Sequence, residues 1–125
     1  EDIYLMSQII FYARSLVHIP RALYHYRKDN PDSFCAQDGK KRHIASTTNF
    51  LDLYEHYREN LKGSPIEKVA GSILMRAGQH SIMHGYDFFE KYPYLAGDIR
   101  KTRISCRYRT SVPMQVLVKC YALFR

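Results

Sequence analysis

Glu1 and Asp2 form an acidic pair directly ahead of an apolar helical run. There the positive end of the helix dipole stabilises an ionised carboxylate, and a general base is held rigidly. A simple N-cap uses the same pair. His25 and Arg27 alternate onto one face of a β-rich run, so a bidentate cation stands beside a titratable ring, an arrangement suited to a phosphate or diphosphate. Ordinary strand packing with a solvated Arg27 gives the same pattern. His80 and His84 have the spacing of two zinc ligands on a helix, but the glutamate of the His-Glu-x-x-His pattern and a third ligand are missing, which favours a polar helix end. Arg107-Tyr108-Arg109 interleaves bases with an aromatic ring that suits nucleobase stacking, although one such triplet falls short of a nucleic-acid motif. No glycine-rich phosphate loop, nucleophile elbow or Asp-x-Asp metal motif occurs, so a self-contained nucleotide-using enzyme is not visible.

Cys35, Cys106 and Cys120 are odd in number and far apart, with no Cys-x-x-Cys pair. Buried, unreactive thiols in a reducing compartment are expected, and not a disulfide framework or a structural zinc site. The 125 residues carry a net charge of +7, and all of the excess comes from the last quarter of the chain. Residues 1–99 balance, and no acid follows Asp98, whereas Arg100, Lys101, Arg103, Arg107, Arg109, Lys119 and Arg125 do. Such a segment attracts polyanions: a nucleic acid, an anionic membrane surface or substrate phosphates; a solvated tail is the bland alternative. With 46% hydrophobic residues the chain is globular, yet no apolar run approaches the ~20 residues that span a bilayer.

The elements that must position these residues follow from periodicity. Residues 3–15 contain no Gly or Pro and are apolar nearly all round, which predicts a helix buried on most faces. Residues 16–19 and 22–27 are β-rich runs around Pro20 and predict a short strand pair, followed by a turn at Asn30-Pro31-Asp32-Ser33. Phe50, Leu53, Tyr54, Tyr57 and Leu61 mark one long helix; Ile66, Val69, Ala70, Ile73, Leu74 and Ala77 mark a second, running to about Gly85. Between them Gly63 suits a left-handed C-cap, and Ser64-Pro65-Ile66-Glu67 reads as a capping box with proline in the first turn. The result is an antiparallel helical hairpin. Ser111-Val112-Pro113 opens a last helix with Met114, Leu117, Val118 and Tyr121 on one side, long enough to lie on a membrane and too short to cross one.

Taken in order, Glu1-Asp2, the apolar helix, Leu16-Val17-His18-Ile19-Pro20, Leu23-Tyr24-His25-Tyr26-Arg27 and Asn30-Pro31-Asp32-Ser33 resemble the C-terminal part of bacterial family 2 glycosyltransferases of the GT-A fold. The likeness covers residues 1–35; residues 36–125 match only as the helical, variable extension such enzymes often carry. It implies a mostly α chain with a short β-hairpin-like pair near its start: the end of an α/β GT-A catalytic core followed by a helical extension. It further implies that Asp2 is the base that deprotonates an acceptor hydroxyl in an inverting displacement, with Glu1 beside it. By the same likeness His25 and Arg27 lie near the donor diphosphate, with His25 alternatively approaching the metal ion, and Ser33 belongs to a loop over the donor.

The implied partners are a nucleotide-sugar donor and a saccharide or lipid-linked acceptor of cell-surface polysaccharide synthesis. The implied cofactor is Mn²⁺ or Mg²⁺, held mainly by an upstream half that these residues do not include. On this reading the chain begins inside a longer protein and is inactive alone. The enzyme is cytoplasmic, resting on the cytoplasmic membrane face through residues 100–125. A small basic helical module for nucleic acid or membrane surfaces is the alternative.

Overall fold

The fold was obtained as a computed structural model that describes residues 5, 6, 9, 12–15, 17–21 and 39–125. Five α-helices account for the main body: α1 (Gly39–Tyr57), which ends in a 3₁₀ turn (Arg58–Asn60), α2 (Ala70–His84), α3 (Phe88–Lys91), α4 (Leu95–Lys101) and α5 (Val112–Leu123). α1 and α2 form the expected antiparallel hairpin: His43 meets His84 and Thr47 meets His80. α2 is the central rod, packed by α1, α4 and α5. Because neighbours surround it, its buried set exceeds a single stripe. Ala70, Ile73, Leu74 and Ala77 are buried as periodicity demands, but so are Met75, Gly78, His80 and Ser81, whereas Val69 faces out.

The link between the long helices differs from a complete capping box. Gly63 takes the left-handed conformation at φ 77°, as expected. Its N–H, and not that of Ser64, donates to Glu67 at 2.9 Å, while Ser64 Oγ is buried without a partner. Residues 65–69 make turns, and α2 starts only at Ala70. At its far end Gly85, φ 63°, closes α2 by donating to the Ser81 carbonyl at 3.1 Å. Asp87 then caps the short α3, accepting from the N–H groups of Phe89 and Glu90.

Two glycines on α2 set how closely its neighbours approach. A Cβ at Gly78 would overlap the Val118 side chain of α5, and one at Gly71 would overlap the Tyr108 ring. α5 turns Gln115, Val118 and Ala122 inward, with Met114 and Tyr121 at the margin, so that Leu117 lies outside, contrary to the stripe read from the sequence. Polar pins tie α1 to the C-terminal half. Asp98 on α4 accepts from Tyr54 at 3.1 Å and from Arg58 at 2.7 Å, and Tyr92 donates to Asp52. Burial, reinforced by Asp98, pushes the Tyr54 phenol up to about 12, so it donates throughout the physiological range.

The expected strand pair, and with it the α/β GT-A fragment, is corrected by this fold. Every regular element among the described residues is helical. Val17, His18 and Ile19 of the first anticipated strand are exposed and irregular, and the Arg21 N–H turns back to the Ile19 carbonyl at 2.8 Å. β propensity alone does not make a strand: backbone groups need a ladder partner, and none of the described residues supplies one. The second run, residues 22–27, lies outside the described residues. Leu5, Met6, Ile9 and Tyr12 have the anticipated helical backbone, and the Ala13 N–H bonds the Ile9 carbonyl at 2.9 Å. Their side chains are about half exposed or more, not buried.

Candidate functional site

Glu1, Asp2, His25, Arg27 and Ser33 lie outside the described residues. The chemistry that the fold does assemble comes from the helical unit, in two places.

The first is on the α1–α2 hairpin. Helical spacing places His80 and His84 one turn apart, and antiparallel packing adds His43 from α1, a third ring that sequence spacing alone could not reveal. The ring centroids are 5.2–5.8 Å apart. Among the described residues no group of His, Cys, Asp and Glu side chains is arranged to hold a metal ion. His80 is 6% exposed, and its Nδ1 is 2.7 Å from Thr47 Oγ1, itself buried. Burial is the main cause that lowers the His80 pKa to about 4, with Arg76 next and His43 and His84 adding to it.

A pH dependence follows. The folded state binds a proton at His80 less readily than an unfolded chain does, near pH 6.5, so stability is complete above that value and declines as pH falls towards 4. The loss is expected to total about 3 kcal/mol and to stop growing once both states are protonated. Chemical denaturation of native and His80→Asn proteins across pH 4–7 checks this: the difference between the two curves should carry the slope. Parallel curves would mean that the fold leaves the His80 pKa where it is in the unfolded chain.

Beside His80 two hollows share Arg76 of α2 and Arg109 of the α4–α5 loop. One, about 270 Å³, is walled mainly by Phe50, Val69 and Ile73, with Thr47 and Ser72 as its polar atoms. The other, about 230 Å³, is polar and adds Gln79, His80 and Thr110. Arg109 is presented by a loop with a rigid base. Gln115, fully buried, donates to the carbonyls of Ser105 at 2.8 Å and Thr110 at 2.6 Å and accepts from the Ser105 N–H at 2.9 Å. Thr110 Oγ1 donates to Gln79 at 3.1 Å, and Lys119 Nζ donates to the Thr102 carbonyl at 2.5 Å. Within this loop Tyr108 is half-buried against Gly71, so the Arg107-Tyr108-Arg109 triplet presents two cations but no free stacking ring.

The second place is the outer face of α5. Val112, Val116, Cys120 and Leu123 recur at helical spacing on an exposed side, turned away from the buried Gln115 and Val118. Ile104 and Phe124 extend this apolar strip, Phe124 at 89% exposure, and Arg100 and Lys119 border it. Of the tail cations, Arg125 is taken up by Asp87 at 2.9 Å. Arg100, Lys101, Arg103, Arg107 and Arg109 have no carboxylate partner among the described residues. Cys106 and Cys120 are free and exposed, which corrects the expectation of buried thiols for these two.

The chain matches no protein-family model, no curated protein and no solved structure. No helix among the described residues is long and apolar enough to cross a membrane.

Proposed function

We propose that this chain is the C-terminal part of a nucleotide-sugar-dependent glycosyltransferase. It transfers a sugar, with inversion, to a hydroxyl of a saccharide or lipid-linked acceptor, with Asp2 as the base and a divalent metal held mainly by upstream residues. The observation that carries the reading is the ordered string from Glu1-Asp2 to Ser33, with an apolar helix directly after the acid pair. The half-exposed Leu5, Met6, Ile9 and Tyr12 support it, since an apolar helical face of that kind calls for further protein to cover it. Residues 39–125 add an all-helical unit to the catalytic part. The test is release of nucleoside diphosphate from a panel of nucleotide sugars by the longer protein containing this chain, with Mn²⁺ or Mg²⁺ and candidate acceptors. Absence of turnover with every donor and acceptor would count against it.

The outer face of α5 supports a cytoplasmic, membrane-surface location for such an enzyme, because exposed Val116, Leu123 and Phe124 near Arg100, which has no carboxylate partner among the described residues, match the apolar-plus-basic make-up of interfacial helices. Vesicles rich in phosphatidylglycerol should retain the chain and pure phosphatidylcholine vesicles should not. Arg100→Gln should weaken retention about fivefold, the worth of about 1 kcal/mol per basic side chain. Equal retention on both lipids would remove the membrane from this reading. Retention on nucleic acid with a steep salt dependence would instead favour a basic binding module.

A further inference from the structure

We propose that the cleft bounded by Arg76 and Arg109 is a binding site for an organic phosphate, its phosphoryl group held between the two guanidinium groups and its apolar or ring-bearing body seated against Phe50, Val69 and Ile73. This inference does not rest on the transferase reading, since every residue it uses belongs to the helical unit.

Three observations carry it. The first is the charge left over. Arg58 and Arg125 are neutralised by Asp98 and Asp87. Arg76 is half-buried with no carboxylate partner among the described residues, and Arg109 lines the same two hollows equally unpaired. No Asp or Glu lines either hollow. Two like charges on one cleft repel until an anion lies between them, and planar guanidinium forks match phosphate oxygens better than they match any neutral group.

The second observation is the division of the cleft. The polar hollow offers Gln79 and Thr110 beside the arginines, and the adjoining hollow is walled mostly by carbon. Inorganic phosphate would fill only the first; a phosphate ester fills both. The third is the support under the arginines. Thr110 is buried and tied to Gln79, and Gln115 fixes the loop that presents Arg109, so the loop geometry exists before any ligand arrives. Nearby, His43, His80 and His84 add no negative charge that would compete with an anion.

The phosphoryl group has two chemical sources, a soluble phosphate ester or a phospholipid headgroup, and the test separates them. Inorganic phosphate, phenyl phosphate and monomeric dihexanoyl phosphatidic acid are titrated into the full chain at low ionic strength, followed by calorimetry and by the imidazole resonances of His80 at the cleft. Saturable binding is expected, with phenyl phosphate or the short phosphatidic acid about tenfold tighter than inorganic phosphate; whichever ester is tighter identifies the source. Arg109→Gln, at an exposed position that leaves the fold intact, and Arg76→Met should each lower affinity about tenfold or more, the effect of losing a charge-assisted hydrogen bond. Arg103→Gln, equal in charge change but outside the cleft, should alter it less than twofold. Absence of saturable binding overturns the proposal. So does an equal loss in Arg103→Gln and Arg109→Gln, which would mean diffuse attraction to a basic surface.

Discussion

Replacing Asp2 with Asn in the longer transferase proposed to contain this chain is expected to lower turnover of the nucleotide-sugar donor by roughly 10²–10⁴-fold, the usual worth of a positioned general base. The argument is chemical. An acceptor hydroxyl is a weak nucleophile until its proton has somewhere to go as the glycosyl–phosphate bond breaks, and a rigid carboxylate aimed at it supplies that acceptor. Asn keeps the size and most of the hydrogen-bonding shape of Asp but cannot take the proton, so the loss should fall on kcat while KM for the donor changes little. Glu1→Gln is the internal comparison. If Glu1 only flanks the base, its effect should stay well below that of Asp2→Asn. Undiminished turnover in Asp2→Asn would remove Asp2 from the role that its place in the motif order suggests. The helical unit should be indifferent to both changes, so circular dichroism and thermal unfolding of the variants should match the native protein.

The second large effect is expected at Gln115. Its amide joins the ends of the loop between α4 and α5, donating to the carbonyls of Ser105 and Thr110 and accepting from the N–H of Ser105, in a site with no exposure to solvent. Gln115→Met keeps the volume and removes all three bonds. Buried backbone groups then lose partners that water does not fully replace, at about 1–3 kcal/mol for each group that stays dry. With Ser105 partly exposed and therefore partly rehydrated, a loss of about 3 kcal/mol is expected, or roughly 10–20 °C in the melting temperature of a domain this size. Gln115→Glu should be at least as damaging at neutral pH, because an ionised carboxylate accepts but does not donate and would face two carbonyl oxygens. A melting temperature within 3 °C of native for both variants, below the ~4 °C expected even from 1 kcal/mol, would show that the loop does not depend on this amide. If the loop does depend on it, phosphate binding should fall with stability, since Arg109 is carried by the same loop.

Local chemistry in the sequence accounts for the parts of this fold that a few neighbouring residues decide. Gly85 ends α2 and Gly63 turns the chain beyond the 3₁₀ end of α1, because only glycine takes the left-handed conformation at no steric cost; that conformation is legible from the chain at both positions, whereas the end of α1 before Gly63 is not. The hairpin of α1 and α2 follows from two apolar stripes joined by a short polar link. The uneven charge, with no acid beyond Asp98, is likewise a property of the sequence alone. The motif order from Glu1 to Ser33 is also a sequence property, and the functional proposal rests on it.

Tertiary structure decided what depends on distant partners. The β-rich residues 17–19 are irregular because propensity does not supply a pairing strand. Gln115 looks like a polar surface residue in a helical pattern, yet it is among the most buried side chains, because the carbonyls that satisfy it belong to a loop folded back from five and ten positions upstream. Periodicity places Leu117 with the core, yet it lies outside because α5 is rotated to seat Val118 at Gly78. His43 joins His80 and His84 only through the packing of α1 on α2. Arg76 and Arg109, 33 positions apart, form one cleft for the same reason. Periodicity reports which face of an element is apolar, whereas a site needs to know which element lies opposite, and that is fixed only when the helices close on one another.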